Sequence, residues 1–460
     1  MQDDRSLSRR YRFVRGIART LLRAEYRSVE VAGADAVPAG GPVVLVANHE
    51  NSLVDSMAIL VTSPRMASPL AKAPLFKSAI VRPFLTALGG LPVYRVQDVA
   101  ENAGKGARAN LEMFAVCRER LKAGGSIVLF PEGVSQPRPK LMPLRTGAAR
   151  IALDVGSPVS IVPVGLVYEP PGARRGRILV RFGQAFVVDG STVGPARRGA
   201  IASTTRRIET ELRALLAEAE SQGDLAAMRV LAGIGAQEEG LPPPATLAEG
   251  HARTQALARG YATLRAIDPA EVEAIRADTD AFSRTLSISG ITPALLDLPF
   301  PLGRVLAFSA KTIATALVGA PLDLLASILT WPARAIGEIL VARQSGVSED
   351  VATLNRIVGQ AVVHAMFTVL LAAGLSVFVS PWVGLLALAT LPALFFLHVA
   401  WRDWRHDAKT RIRAFFLLAG GRLRRDLLRQ RRALHRRVQA ARARIAAVPP
   451  TAATAPPAIG

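Results

Sequence analysis

The sequence predicts an α/β domain with a mixed central sheet flanked by helices, then a helical region and a C-terminal transmembrane helical hairpin. Three observations carry this. Short runs rich in Val, Ile and Leu at 42–47, 126–130, 159–167 and 177–182 are separated by helical patterns at 51–61, 98–122 and 144–154. Several of these runs lack in–out alternation, the mark of strands buried on both faces of a largely parallel or mixed sheet. Far downstream, the 42 residues from 359 to 400 contain no Asp, Glu, Lys or Arg.

The segments follow in order. Residues 1–30 place arginines among Tyr11, Phe13, Val14, Ile17, Leu21 and Leu22, an amphipathic helix with a basic face. It either packs on its own domain or touches lipid. It lacks the long apolar core and small-residue cleavage site of a secretory signal. Residues 31–224 form the α/β domain, closed by a helix from 206. Residues 225–303 read as a small helical accessory region, broken by "LPPPA" at 241–245.

The segment 304–345 is centred on "TIATALVGAPLDLLASILTWPA", 312–333. Asp323 is expensive at mid-bilayer and Pro321 is expected to interrupt the helix, so an interfacial or re-entrant segment is expected here instead of a third span. The charge-free run 359–400 is too long for one perpendicular crossing of a hydrocarbon core roughly 30 Å thick. It divides at Ser380-Pro381 into spans at 359–379 and 382–400, with Arg356, Arg402 and Arg405 flanking and Trp401 and Trp404 at an interfacial level. Both ends of a hairpin emerge on one side, and the arginines assign that side to the cytoplasm. The expectation is an integral membrane protein with its α/β domain on the cytoplasmic face.

From 401 to 460 the tail carries 14 Arg and one Lys against three Asp, ending in "PPTAATAPPAIG". A basic helix resting on anionic phospholipid is the expectation, with a disordered end. Nucleic acid is the competing partner for a chain with 57 basic and 36 acidic residues, net +21. It is not expected, because no aromatic or glycine-rich readout motif accompanies the charge. Cys117 is the only cysteine. No internal disulfide and no cysteine-rich metal site can form, in keeping with a reducing compartment.

The chemistry-bearing residues fall at strand ends. "NHENSLVD", 48–55, follows the strand "PVVLVA". A histidine there sits at the crevice where α/β sheets bind ligands. His49 is either a base oriented by Asp55 or an ordinary polar residue. Six positions on an ideal helix would hold the two side chains apart, so they meet only if His49 is in the turn and Asp55 faces back from the helix. Asp55 would then fix the tautomer and leave the other nitrogen to take a proton. "GGLPVYR", 89–95, delivers Arg95 after a short strand, and "FPEGVSQPRPKLMPLR", 130–145, gathers Glu132, Arg138, Lys140 and Arg145. Basic residues over strand ends suit a phosphate-bearing ligand, whereas each alone reads as a surface charge. Pro163, inside "VSIVPVGLVY", predicts a bulge or a wall against a ligand. Cys117, in "MFAVCRERLK", reads as a core residue and not a nucleophile.

"NHENSLVD", "GGLPVYR", "FPEG" and "IVPVG" together resemble, in order and spacing, the four blocks of the glycerolipid acyltransferases. The resemblance covers roughly residues 20–220. Five residues, Glu50 to Val54, separate His49 from Asp55 where the usual block has four. With the C-terminal hairpin, this looks like the eukaryotic-type enzymes that acylate glycerol-3-phosphate or dihydroxyacetone phosphate. That branch usually has His or Asp after the serine of its third block, and Gln136 stands there in this chain. The resemblance implies His49 as general base and Asp55 as its partner. It also implies Arg95, Glu132 and Gly133 at the acceptor phosphate, and Pro163 near the acyl donor. The implied activity is acyl transfer from an acyl-CoA or acyl carrier protein thioester to a phosphorylated glycerol-type acceptor, without metal or further cofactor. The alternative acceptor is lysophosphatidate or another lysophospholipid. A non-catalytic membrane scaffold is the rival from another class, and it leaves the four blocks unexplained.

Overall fold

A computed structural model describes residues 9–72, 76, 81–93, 103–170, 175–191, 194–297, 302–342, 349–419 and 421–447. The chain divides into two compact units, Met1–Glu218 with Ser348–Leu354, and Ala219–Val347 with Asn355–Gly460.

The first unit is built on an eight-stranded sheet. Its strands are β1 (Ser28–Ala32), β2 (Val43–Ala47), β3 (Ala67–Lys72), β4 (Leu91–Val93), β5 (Ser126–Leu129), β6 (Pro158–Glu169), β7 (Arg177–Phe182) and β8 (Phe186–Asp189). They lie in the order β1-β7-β6-β2-β5-β3-β4, with β8 also on β6. β2 runs parallel to both its neighbours, β5 and β6, and all five of its residues are buried. That is why "VVLVA" shows no alternation: a central parallel strand has helices on both faces. On one face Val44 and Val46 join a core completed by α4 (Ala103–Lys122), α5 (Gly147–Ala152) and α6 (Ala196–Leu215). On the other lie α1 (Arg9–Glu25) and α2 (Ser52–Thr62).

The N-terminal helix is thus part of this unit. Tyr11, Val14, Ala18 and Leu22, spaced three and four apart, form its buried stripe. Arg15 caps the end of α2 by donating to the carbonyls of Val61 and Ser63, at 2.8 and 3.1 Å.

Pro163 makes no bulge. β6 is one continuous strand in which Pro163 faces Val46 of β2. Its carbonyl accepts from the Gly183 N–H at 2.8 Å, so its missing N–H points to the same edge. There the pairing with β8 ends at Ile161 and that with β7 begins at Val164. No ladder bond is lost.

The second unit is helical: α7 (Gln222–Glu238), α8 (Leu247–Ile267), α9 (Pro269–Ser289), α10 (Leu302–Ala342), α11 (Glu349–Phe378, from Asn355 onward), α12 (Pro381–Ala419) and α13 (Arg422–Ala446). A Ser221–Asp224 capping box starts α7, and Gly290, with φ 65°, ends α9. The basic tail does not stand apart from the accessory region. Leu427 and Leu434 of α13 enter one core with Ile234, Phe282, Leu286 and Leu296. Arg431 pairs with Glu238 and Asp297 at 2.6 and 2.7 Å, and Arg437 with Glu271 and Asp278, both at 2.7 Å. Part of the positive charge that suggested lipid or nucleic acid is therefore neutralised within the unit.

Three helical stretches, Val305–Ile339, Gly359–Phe378 and Pro381–Leu418, are long and apolar enough to cross a membrane. The break at Ser380 falls between α11 and α12, where the Ser-Pro pair places it. α10 corrects one expectation: it continues through Pro321 and Pro332. A proline removes one backbone bond. In apolar surroundings, however, the other groups have no water to turn to, and the helix persists.

Candidate active site

β2 ends at Ala47 and the chain turns sharply into α2. Ser52 opens that helix with φ 40°, a left-handed backbone uncommon for a non-glycine residue and typical of functional corners. The Ser135 hydroxyl holds it, accepting from the Ser52 N–H at 2.7 Å. This corner is what brings residues six apart together. His49 Nδ1 lies 2.8 Å from Asp55 Oδ2, with Asp55 wholly buried and His49 8% exposed.

Asp55 is held from several directions. The Asn51 N–H donates to Oδ2 at 2.8 Å, and the Tyr168 hydroxyl makes a short hydrogen bond to Oδ1. Burial, with the adjacent carboxylate, raises the Tyr168 phenol well above its ordinary range, so it remains a donor. An acceptor-only carboxylate facing Nδ1 fixes the proton there. Nε2 is then the basic nitrogen, and it has no hydrogen bond among the described residues. The imidazole lies flat against Phe130, with centroids 4.0 Å apart and an interplanar angle of 15°.

Glu132 holds the other side of the turn. Its Oε1 accepts from the His49 backbone N–H at 2.7 Å and its Oε2 from the Met142 N–H at 3.1 Å. Burial pushes its carboxyl above the usual range, against the pull of those two donors. The loop is tied down again where the Gln136 N–H donates to the His49 carbonyl at 3.0 Å. Arg138 donates to the Gln136 side chain at 2.7 Å. Gly133 has φ 74°, and a Cβ there would stand 2.8 Å from Arg145 Nε. Glycine thus permits both the turn and the close approach of that guanidinium.

The structure therefore gathers His49, Asp55 and Glu132 directly. It sets Arg138 and Arg145 on the loop bonded to His49, with Lys140 exposed on the same loop. Pro163 is buried within the sheet opposite Val46, three residues before His49, and is not brought to the corner. Arg95 lies outside the described residues. Cys117 is buried and its thiol is pushed up to about 12 by burial, the state of a core cysteine. Among the described residues no three His, Cys, Asp or Glu side chains cluster as metal ligands.

Sequence reasoning missed Tyr168 and Asn48. Asn48 extends the ladder past the end of β2, donating to the Leu166 carbonyl at 3.0 Å and accepting from its N–H at 2.7 Å. Tyr168 is the last residue but one of β6, where an aromatic side chain reads from sequence as packing.

The sequence profile of the family described as Acyltransferase matches residues 28–167, the span that holds the corner. Over those residues the chain is similar to that acyltransferase family. Glycerol-3-phosphate O-acyltransferase 2 of Saccharomyces cerevisiae is 37% identical over 86 residues, 18% of this chain and 12% of that protein. The chloroplastic 1-acyl-sn-glycerol-3-phosphate acyltransferase of Brassica napus is 24% identical over 165 residues, 36% of this chain and 44% of that one. A crystal structure of the 1-acyl-sn-glycerophosphate acyltransferase of Thermotoga maritima overlaps 46% of this chain and 83% of its own, at 24% identity and a TM-score of 0.33. The chain spans less than half the length of these curated relatives.

Proposed function

We propose that this protein transfers a long-chain acyl group from a coenzyme A or acyl carrier protein thioester to the hydroxyl of a phosphorylated glycerolipid acceptor at a membrane. The observation that carries the reading is the 2.8 Å His49–Asp55 contact, with Asp55 fully buried and Nε2 unpaired among the described residues. Nε2 takes the proton of the acceptor hydroxyl as its oxygen attacks the thioester carbonyl. Collapse of the tetrahedral adduct expels the thiolate, which recovers the proton from the imidazolium. Asp55 stabilises that imidazolium, and Glu132 positions the backbone that carries it. Glu132 is thereby a positioning residue, with both oxygens already committed to backbone donors. Arg138, Lys140 and Arg145 are the described cations for the acceptor phosphate, with Arg95 assigned there by its block.

For the acceptor, lysophosphatidate is the reading we favour, with glycerol-3-phosphate and dihydroxyacetone phosphate next. The Brassica relative, titled for an acyl-glycerol phosphate, aligns over 36% of this chain against 18% for the yeast relative titled for glycerol-3-phosphate. This reverses the order implied by the five-residue interval between His49 and Asp55. The arginines flanking the hairpin assign the catalytic domain to the cytoplasmic face.

The test supplies membranes bearing the protein with long-chain acyl-CoA and, in turn, lysophosphatidate, glycerol-3-phosphate or dihydroxyacetone phosphate. Phosphatidate formed fastest from lysophosphatidate is the expected result. Turnover restricted to the unacylated acceptors overturns the acceptor, and acyl transfer to none of them overturns the activity.

A further inference from the structure

α10 is as long and apolar as a membrane span, yet two independent features of its own unit keep it from crossing. The first is parity. Leu295 and Leu296, just before α10, share one core with Ala414 and Leu418 at the end of α12 and with Leu427 and Leu434 of α13. The chain therefore leaves for the membrane and returns on the same side, which allows only an even number of crossings. α11 and α12 supply two. They run antiparallel through the same depth, with the His364 and Phe395 rings 4.7 Å apart and Gly384 set against Ser376 and Ala372 beside the turn. A third crossing by α10 would strand α13 across the membrane from the core it completes.

The second feature is where α10 touches the hairpin. Asp323 lies 2.7 Å from His398 Nδ1, Arg334 Nη1 lies 2.8 Å from His398 Nε2, and Gly319 faces the Trp401 ring. Farther on, a Cβ at Gly337 would stand 3.1 Å from Gln360 of α11. His398 is about 26 Å along α12 from the Ser380 turn and Gln360 about 27 Å along α11, at 1.5 Å per residue. Both contacts thus lie at the open end of the hairpin. Were α10 to run antiparallel along α12 from the Asp323–His398 contact, Gly337 would reach the level of Gly384 near the turn. It meets Gln360 instead.

We propose that α10 lies in the membrane interface across the open end of the α11–α12 hairpin, entering and leaving the leaflet that faces the helical bundle. Its partner is the acyl and headgroup boundary of that one leaflet. Leu317, Val318, Leu324, Ile328 and Trp331 are among its exposed apolar residues, and Lys311, Asp323 and Arg334 are among the charges such a depth tolerates. The Asp323–His398–Arg334 chain then sits where water and headgroups reach.

Single cysteines report the side directly, because native Cys117 is fully buried and sets the blank. In sealed, oriented membranes carrying the full chain, a membrane-impermeant maleimide is applied to Glu338→Cys, Val379→Cys and Ala433→Cys variants, all at exposed positions. The Glu338→Cys and Ala433→Cys proteins are expected to label from one side and the Val379→Cys protein from the other. Labelling of the Glu338→Cys protein with the Val379→Cys protein, or only after detergent, overturns the proposal.

Discussion

Among the described residues two histidine–aspartate pairs occur, one in each unit, and their contact distances are nearly equal. His49 Nδ1 is 2.8 Å from Asp55, and His398 Nδ1 is 2.7 Å from Asp323. Both aspartates and both histidines are buried. The difference lies at the second ring nitrogen. Nε2 of His49 carries no hydrogen bond among the described residues, whereas Nε2 of His398 faces the Arg334 guanidinium at 2.8 Å. A guanidinium only donates, so it occupies the lone pair a base would need. The first arrangement can accept a proton from a substrate, and the second ties two helices together. A histidine–carboxylate contact is therefore no evidence of catalysis until the fate of the other nitrogen is known.

The comparison breaks first at Asp55. Asp55→Asn should lower kcat/KM by roughly 10²–10⁴, the usual contribution of a general base, because it removes the charge that fixes the tautomer. The His49→Ala, Asp55→Asn double variant should be scarcely worse than either single change. Additive losses in that cycle would mean that the two side chains do not act as one unit.

Tyr168→Phe sharpens the same point, with about a tenfold loss. Without the phenol donor, Asp55 loses one of the contacts that hold it against the imidazole, so the loss should fall on kcat. An unchanged kcat at equal amounts of folded protein would contradict the role given to Tyr168.

Glu132→Ala orphans the His49 and Met142 N–H groups and should cost roughly 2–3 kcal/mol of stability, read as a lower denaturation midpoint alongside a lower kcat. A reduced acceptor affinity with unchanged stability would instead make Glu132 a ligand of the acceptor.

A contrast within α13 ends on the smallest effect. Arg431 is 6% exposed and doubly paired, so Arg431→Ala should cost about 3 kcal/mol. Arg437 is 36% exposed, and Arg437→Ala should cost about 0.5 kcal/mol and less in high salt. Equal losses would place the two arginines in the same dielectric surroundings.

The sheet and the hairpin were legible because their signals are local. A buried parallel strand has to be apolar without alternation, and a membrane hairpin has to be free of charge. The His49–Asp55 corner was legible as a strand end followed by a helix start, although its closure depends on Ser135, more than eighty residues away. Tyr168 was not legible, since an aromatic residue at the end of a core strand reads as packing until the carboxylate beneath it is seen. The packing of α13 within its unit was hidden for a related reason. Arg431 and Arg437 are matched by acids on α7 and α9, and nothing in the tail itself shows such long-range pairing. Pro163 misled because a proline is harmless wherever a strand changes partners, and that exchange is set by β7 and β8.

The most direct test of the account is one assay on two variants, His49→Ala and His398→Ala, in the same membrane background with long-chain acyl-CoA and lysophosphatidate. The free Nε2 predicts that His49→Ala loses about a thousandfold or more in kcat, while His398→Ala stays within a few-fold of the parent at equal amounts of folded protein. Near-parental turnover by His49→Ala would contradict it, and so would an equal collapse of both variants.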